Sequence, residues 1–343
     1  MLLRSYCATC GKERKAFTGK PLCDCGGVLV PKIDFRYRTG DFRVHFPYLT
    51  RIVSLGEVIT PVVTKGDMDF KLEYFSPTFS YKDRGSKVLI SSLLDHLEPG
   101  SEINEDSSGN AGASIAAYGT SAGYRVNIFV PATTMPSKIN QIRAYGANII
   151  SVGGTRENVT SATEKHEGYY ASHVLNPEFR DGMREISYEI FEQFQGSIPD
   201  NIFVPVSAGT LLLGVMSGFD HLLESGEIDH YPRFIAVQTE AVSPLCSALN
   251  GMVYDPDNTI ASIADALVSR RPVLLDLMVA KLRDAGGMCI TISDEEIIAA
   301  RRDLALSGIY TEFSSATVYA ARKKWNPQGR SLLILTGNGL KTQ

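Results

Sequence analysis

One pattern limits the fold more than any other. From about residue 60, extended runs such as "FKLEYF", "VNIFV", "NIISV", "NIFVPV", "RFIAVQ" and "SLLILTG" alternate with helical segments near 83–97, 111–122, 136–145, 181–195, 210–223, 294–307 and 314–324. Strand and helix in regular alternation predict an α/β protein with parallel sheets covered on both faces. Several strands end in a small or polar cluster that opens the next helix: "SSGNAG" at 107–112, "VSAGT" at 206–210 and "LTGNGLK" at 335–341. Ligands of such folds collect at the carboxyl ends of strands, so these junctions form the candidate site.

A chain of 343 residues with 44% hydrophobic content can bury a sizeable core and divides into two or three domains. The net charge of −4, from 34 basic and 38 acidic residues, carries no polyanion signature. A small-molecule partner is expected, with no nucleic acid and no membrane. No apolar run approaches the roughly 20 residues of a membrane helix, and "MLLRSYCATC" lacks a signal peptide's apolar core, so a cytoplasmic protein is expected.

Four of the six cysteines crowd the first 25 residues, whereas Cys246 and Cys289 stand alone in later segments. Cys7 and Cys10 form a C-x-x-C pair, followed after twelve residues by the C-x-C pair Cys23 and Cys25. In a reducing compartment, four thiolates so spaced suit a closed, structural tetrahedral zinc site. The second pair is one residue shorter than usual, which leaves a metal-free relic as the alternative. Residues 1 to about 33 are too few for a core of their own, and a metal would supply the stability they lack. The stretch that follows, rich in aromatics and arginines, reads as an arm over the main body.

Lys82 lies in "SPTFSYKDRG", where an amphipathic run begins: Leu89, Ile90, Leu93, Leu94 and Leu97 share one helical face, and Asp83 is placed to cap the first turn. A helix N-terminus disfavours an ammonium, and a lysine that sheds its proton is what a Schiff base with a carbonyl requires. A solvated Lys-Asp-Arg cluster is the competing reading. At the first junction, Ser107, Ser108, Gly109 and Asn110 present N–H groups to a carboxylate or phosphate; at the second, Ser207, Ala208, Gly209 and Thr210 do the same. Thr336 ends the third strand with a hydroxyl able to bond a ring nitrogen. Each junction alone also reads as an ordinary capped turn.

Taken together, these segments resemble the pyridoxal-phosphate enzymes of the tryptophan-synthase β type (fold type II), and most closely the threonine synthases. "SPTFSYKDRG" is similar to that family's lysine segment and "SSGNAGAS" to its asparagine loop; "PSKINQIRAYGANIISVGG", "NPEFRDGMREISYEI" and "LTGNGLK" follow in the family's order. The cysteine unit is similar to the N-terminal ribbon of archaeal-type members. The resemblance implies a zinc-ribbon-like unit at 1–33, a domain at 34–175 with the Schiff-base lysine and asparagine loop, and a domain at 176–343 with the cofactor's phosphate loop. It implies a homodimer that holds pyridoxal 5'-phosphate on Lys82, with Asn110 at the phenolic oxygen, residues 207–210 at the phosphate and Thr336 at the pyridine nitrogen. Ser107, Ser108 and Gly109 would receive the substrate carboxylate. The implied reaction converts O-phosphohomoserine and water to threonine and phosphate.

The chain departs from that family in three places. Ala111 stands where threonine synthases commonly carry a threonine that helps bind the substrate's phosphate. Arg180 is one place from the usual arginine, with Met183, Arg184 and Glu185 in place of a common Gln-Lys-Thr, and "VSAGT" is poorer in glycine than usual. "TIASIADALV" at 259–268 resembles a stretch of threonine dehydratases. A β-elimination or β-replacement enzyme acting on threonine, serine or phosphoserine is therefore the second reading, which Arg180 or Arg184 lining the substrate pocket would disfavour.

Overall fold

The computed structural model describes residues 3–14, 17–258 and 260–342, apart from the side chains of 136–138 and 342. Thr259, the first residue of the dehydratase-like stretch, lies outside the described residues. The chain divides into two compact units, 1–57 with 82–185 and 58–81 with 186–343. This differs from the linear division at 175/176, and strand pairing is the reason. Met68–Leu72 lies parallel to Ser331–Leu335, and Val62–Lys65 closes the edge antiparallel to it. Residues 58–81 therefore belong to the sheet of the second unit.

The first unit is built on four parallel strands in the order Asn148–Val152, Arg125–Pro131, Glu102–Glu105, Tyr169–Tyr170. The "SPTFSYKDRG" segment leads into the helix Lys82–Leu93, which buries Val88, Leu89, Ile90 and Leu93. Each buried aliphatic side chain contributes about 1.5–3 kcal/mol, so this face holds the helix in place. The asparagine loop opens the helix Asn110–Ser121, whose Ser114 hydroxyl donates to Asp83 Oδ1 at 2.6 Å. The N-terminal arm packs as expected: Phe46, Tyr48 and Leu49 cluster with Val88 of the lysine helix. The cysteine segment forms a small antiparallel sheet in the order Glu13–Arg14, Ser5–Cys7, Leu29–Pro31.

Glu57 fastens the arm to both helices. It accepts from the Leu55 N–H at 2.8 Å and from the hydroxyls of Tyr118 at 2.6 Å and Ser54 at 2.7 Å, and it pairs with Lys87 at 2.9 Å. Burial pushes its carboxyl up, but these donors outweigh burial and hold it down to about 2, against an ordinary 4.5. A folded value below the unfolded one contributes stability above about pH 4.5 that is lost as pH falls towards 2. The shift is worth at most about 3 kcal/mol. Urea melts should show the advantage of wild type over Glu57→Gln narrowing as pH drops from about 5 to 3; a constant gap would refute this.

The second unit carries six strands in the order Met288–Ile292, Arg233–Thr239, Asn201–Pro205, Ser331–Leu335, Met68–Leu72, Val62–Lys65, all parallel except the last. The buried face of this sheet, including Phe70, Phe203, Ile235, Val237 and Leu333, packs with residues of the helices Asp294–Leu306 and Phe313–Lys324. The helix expected at 181–195 is two, Pro177–Gly182 and Glu185–Gln193, interrupted beside a glycine that favours helix poorly. Cys246 and Cys289 do not stand alone: they form a disulfide, with Cα atoms 5.0 Å apart across 43 residues. Sequence spacing hides this pair because a parallel connection separates its partners. Among the described residues, no helix is long and apolar enough to cross a membrane.

Candidate active site

In the first unit, Lys82 is the first residue of its helix and half-buried, its Nζ 5.8 Å from the centroid of the Phe179 ring. Ser107, Ser108 and Gly109 follow the strand Glu102–Glu105 and lead to Asn110, the first residue of the next helix. No side chain caps that helix, which leaves the start of the helix to be met by an anion. Close packing shapes the loop: a Cβ on Gly112 would lie 1.9 Å from the Ser107 carbonyl oxygen. Ala111 is buried, with no hydroxyl to offer. Ser114, one turn on from Asn110, bonds to Asp83 and Ser86 at 2.6 and 2.7 Å, which fixes the asparagine loop beside the lysine helix.

In the second unit, Ser207, Ala208 and Gly209 link the strand Asn201–Pro205 to the helix Thr210–Ser225. Gly209 stands at the helix N-cap with φ +100°, a left-handed conformation that suits glycine, and no side chain caps this helix either. A sixteen-residue helix with an uncapped N-terminus at a strand's carboxyl end suits a phosphate group. Thr336 follows the neighbouring parallel strand Ser331–Leu335, so both turns lie at the same edge of one sheet. Its hydroxyl pairs with the Ser315 hydroxyl at 2.8 Å, and Ser315 also accepts from the N–H groups of Thr336 and Gly337 at 3.0 and 2.9 Å. Sequence reasoning did not find Ser315, which lies 21 residues from Thr336 on another element.

Chain continuity links this edge to the lysine. The Tyr81 N–H donates to the Thr336 carbonyl at 3.0 Å, and Ser80 bridges to Gly337. Phe79 takes φ +64°, uncommon for a non-glycine residue, and its carbonyl accepts from Asn338 at 3.1 Å. The residue immediately before Lys82 is thus tied to the strand end that carries Thr336.

Arg180 departs from its expected place at the substrate. It is buried, and its guanidinium donates to the carbonyls of Val174 and of Leu29 in the cysteine sheet. Arg184 is fully buried, bonding Asp181 at 2.7 Å and the His45 carbonyl at 3.0 Å, with its guanidinium 4.7 Å from the Phe46 centroid. Both arginines therefore anchor the N-terminal segment. A buried Arg14–Glu178 ion pair and a Tyr48–Asp181 bond of 2.7 Å complete the anchor.

Cys7, Cys10, Cys23 and Cys25 converge, as the spacing implies. Cys25 Sγ lies 3.5 Å from both Cys7 and Cys10, and Cys10 lies 3.8 Å from Cys23. Four sulfurs about 2.3 Å from a tetrahedral zinc stand about 3.8 Å apart, so this set fits the ion. Backbone N–H groups, that of Cys10 first, draw the Cys7 thiol down to about 6.

Two residues beside Lys82 carry no sequence motif. His173 Nδ1 lies 2.6 Å from Glu105 Oε1, and the His173 N–H donates to Glu105 Oε2 at 3.1 Å. Burial pushes the Glu105 carboxyl well up, helped by Asp106, and pushes the His173 imidazole well down, helped by Lys82. Glu105 ends the strand before the asparagine loop, and that position was the one available signal.

Residues 53–337 match the family described as "Pyridoxal-phosphate dependent enzyme". The threonine synthase of Methanocaldococcus jannaschii is 28% identical over 98% of this chain and 92% of that protein. That of Methanosarcina acetivorans is 30% identical over 79% of this chain and 70% of its own length. Among solved structures, a bacterial-type threonine deaminase superposes with a TM-score of 0.72 at 21% identity, over 87% of this chain and 98% of that one. Maize serine racemase does so with a TM-score of 0.71 at 23% identity, over 88% and 94%. At such identities the structures speak for the fold alone.

Proposed function

The chain belongs to the pyridoxal-phosphate dependent enzymes, and from that premise we propose a threonine synthase that converts O-phosphohomoserine and water to threonine and phosphate, working as a cytoplasmic homodimer. The observation that carries the reaction is the likeness to the Methanocaldococcus threonine synthase over nearly the full length of both chains. Bound through its aldehyde to Lys82, the cofactor supplies an electron sink for charge developing at the substrate's α-carbon. In this reading Lys82 takes the α-proton and returns protons further along the chain of the substrate. The N–H groups of Ser107, Ser108 and Gly109 hold the substrate carboxylate, and Asn110 donates to the cofactor's phenolic oxygen. Ser207, Ala208, Gly209 and Thr210 hold the cofactor phosphate at an uncapped helix end. Thr336, oriented by Ser315, offers a neutral hydroxyl to the pyridine nitrogen. The four cysteines hold a structural zinc.

A second reading rests on the two arginines. With Arg180 and Arg184 engaged by the N-terminal segment and Ala111 without a hydroxyl, the residues expected to hold a substrate phosphate do not do so. That favours β-elimination from threonine or serine. Purified enzyme loaded with pyridoxal phosphate should release inorganic phosphate from O-phosphohomoserine and form threonine in equal amount. Ammonia release from threonine or serine, without phosphate release from O-phosphohomoserine, would replace the first reading by the second.

A further inference from the structure

The Glu105–His173 pair lies inside the first unit, and the expected reaction does not use it. Glu105 has no exposed side-chain surface, and His173 has 14%. Two contacts to one carboxylate, from the imidazole and from the backbone N–H of the same residue, leave the His173 ring little freedom. The ring stands edge-on to Phe179, with centroids 6.0 Å apart and planes at 70°. Phe179 is held on another side by the lysine helix, because a Cβ on Gly85 would lie 2.5 Å from its ring. The Lys82 ammonium stands over that same ring.

We propose that Glu105 and His173 position Lys82: the carboxylate fixes the imidazole, the imidazole fixes the Phe179 ring, and the ring sets where the lysine amine points. Electrostatics agree with the geometry. The charge of Lys82 acts on both members of the pair, lowering Glu105 and lowering His173. The other charged groups facing the pair are Asp106, which raises both, and Arg156, which lowers both. Arg156 pairs with Asp106 at 2.8 Å, and the Thr160 hydroxyl donates to Asp106 at 2.7 Å, so that neighbouring carboxylate is compensated. Glu105 and His173 together carry no net charge, a polar but neutral wall beside an amine that must lose and regain a proton.

The inference rests on Lys82 being the cofactor's lysine, and the test separates the two. Full-length protein and its His173→Leu, His173→Gln and Glu105→Gln variants are loaded with pyridoxal phosphate, reduced with borohydride, and mapped for the labelled lysine. With the label on Lys82 throughout, His173→Leu should shift the visible band of the bound cofactor and lower kcat by up to about a hundredfold at unchanged KM. His173→Gln, which keeps a polar group for Glu105, should restore part of both. An unchanged band and kcat in His173→Leu, with Lys82 labelled, would overturn the positioning role. Label on another lysine would overturn the site itself. Should the leucine variant fail to fold, ring-nitrogen NMR of histidine decides, with His173→Gln assigning the signal. The His173 resonance should move when wild-type protein binds pyridoxal phosphate, and a resonance that stays in place refutes the proposal.

Discussion

Lys82→Ala leaves a folded protein that neither holds the cofactor covalently nor turns over substrate. The residue is half-buried at a helix start, so trimming it to alanine removes few packing contacts, and alanine is a better helix former than lysine. Stability should stay within about 1 kcal/mol of wild type. Activity depends on one amine placed to move protons at successive carbons, and general acid–base catalysis alone contributes about 10²–10⁴-fold. Loss of the bond to the aldehyde adds to that, so phosphate release from O-phosphohomoserine should fall by at least about 10³-fold. The measurements are the visible spectrum of protein with added pyridoxal phosphate, the rate, and a thermal melt. A variant with wild-type melting that keeps the coloured, borohydride-fixable species would show that another lysine carries the cofactor.

The parts of this protein that were legible in the sequence are those set by local pattern. Strands such as Asn201–Pro205 and Ser331–Leu335 are buried on both faces and read as continuous apolar runs, and the junctions after them are marked by small residues. Short or half-exposed strands, such as Glu102–Glu105 and Met288–Ile292, carry weaker patterns and escaped notice as strands. The membership of residues 58–81 in the second sheet depends on a partner more than 250 residues away, as does the Cys246–Cys289 bond on one 43 away. Arg180 and Arg184 show another limit. Their spacing is that of a substrate clamp, but their direction depends on the N-terminal segment packed against them, which no spacing rule contains. His173 went unassigned because a histidine gains meaning from its partner, and Glu105 lies 68 residues away.

The cysteine unit bears on the site through the helix Pro177–Gly182. Glu178 pairs with Arg14 and Arg180 bonds Leu29, both in the cysteine sheet, while Phe179 and Gly182 face the lysine helix: a Cβ on Gly182 would lie 2.3 Å from the Arg84 carbonyl. One six-residue helix is thus gripped from both sides. A ribbon of about 30 residues has too little apolar surface to fold alone, so its order depends on the metal the four sulfurs hold. Stripping that zinc with a chelator, or replacing Cys10 by serine, should release the ribbon and leave Arg14, Glu178 and Arg180 without their partners. Breaking a buried pair costs about 3–5 kcal/mol, large against a typical stability of about 5–15 kcal/mol. Metal analysis should give one zinc per chain in wild type and none in Cys10→Ser, with a melting point lowered by several degrees and weaker uptake of pyridoxal phosphate. Because the lysine helix keeps its own buried face, cofactor binding should weaken rather than vanish. A metal-free protein with unchanged melting and cofactor uptake would make the ribbon a relic, its sulfurs brought together by the sheet alone.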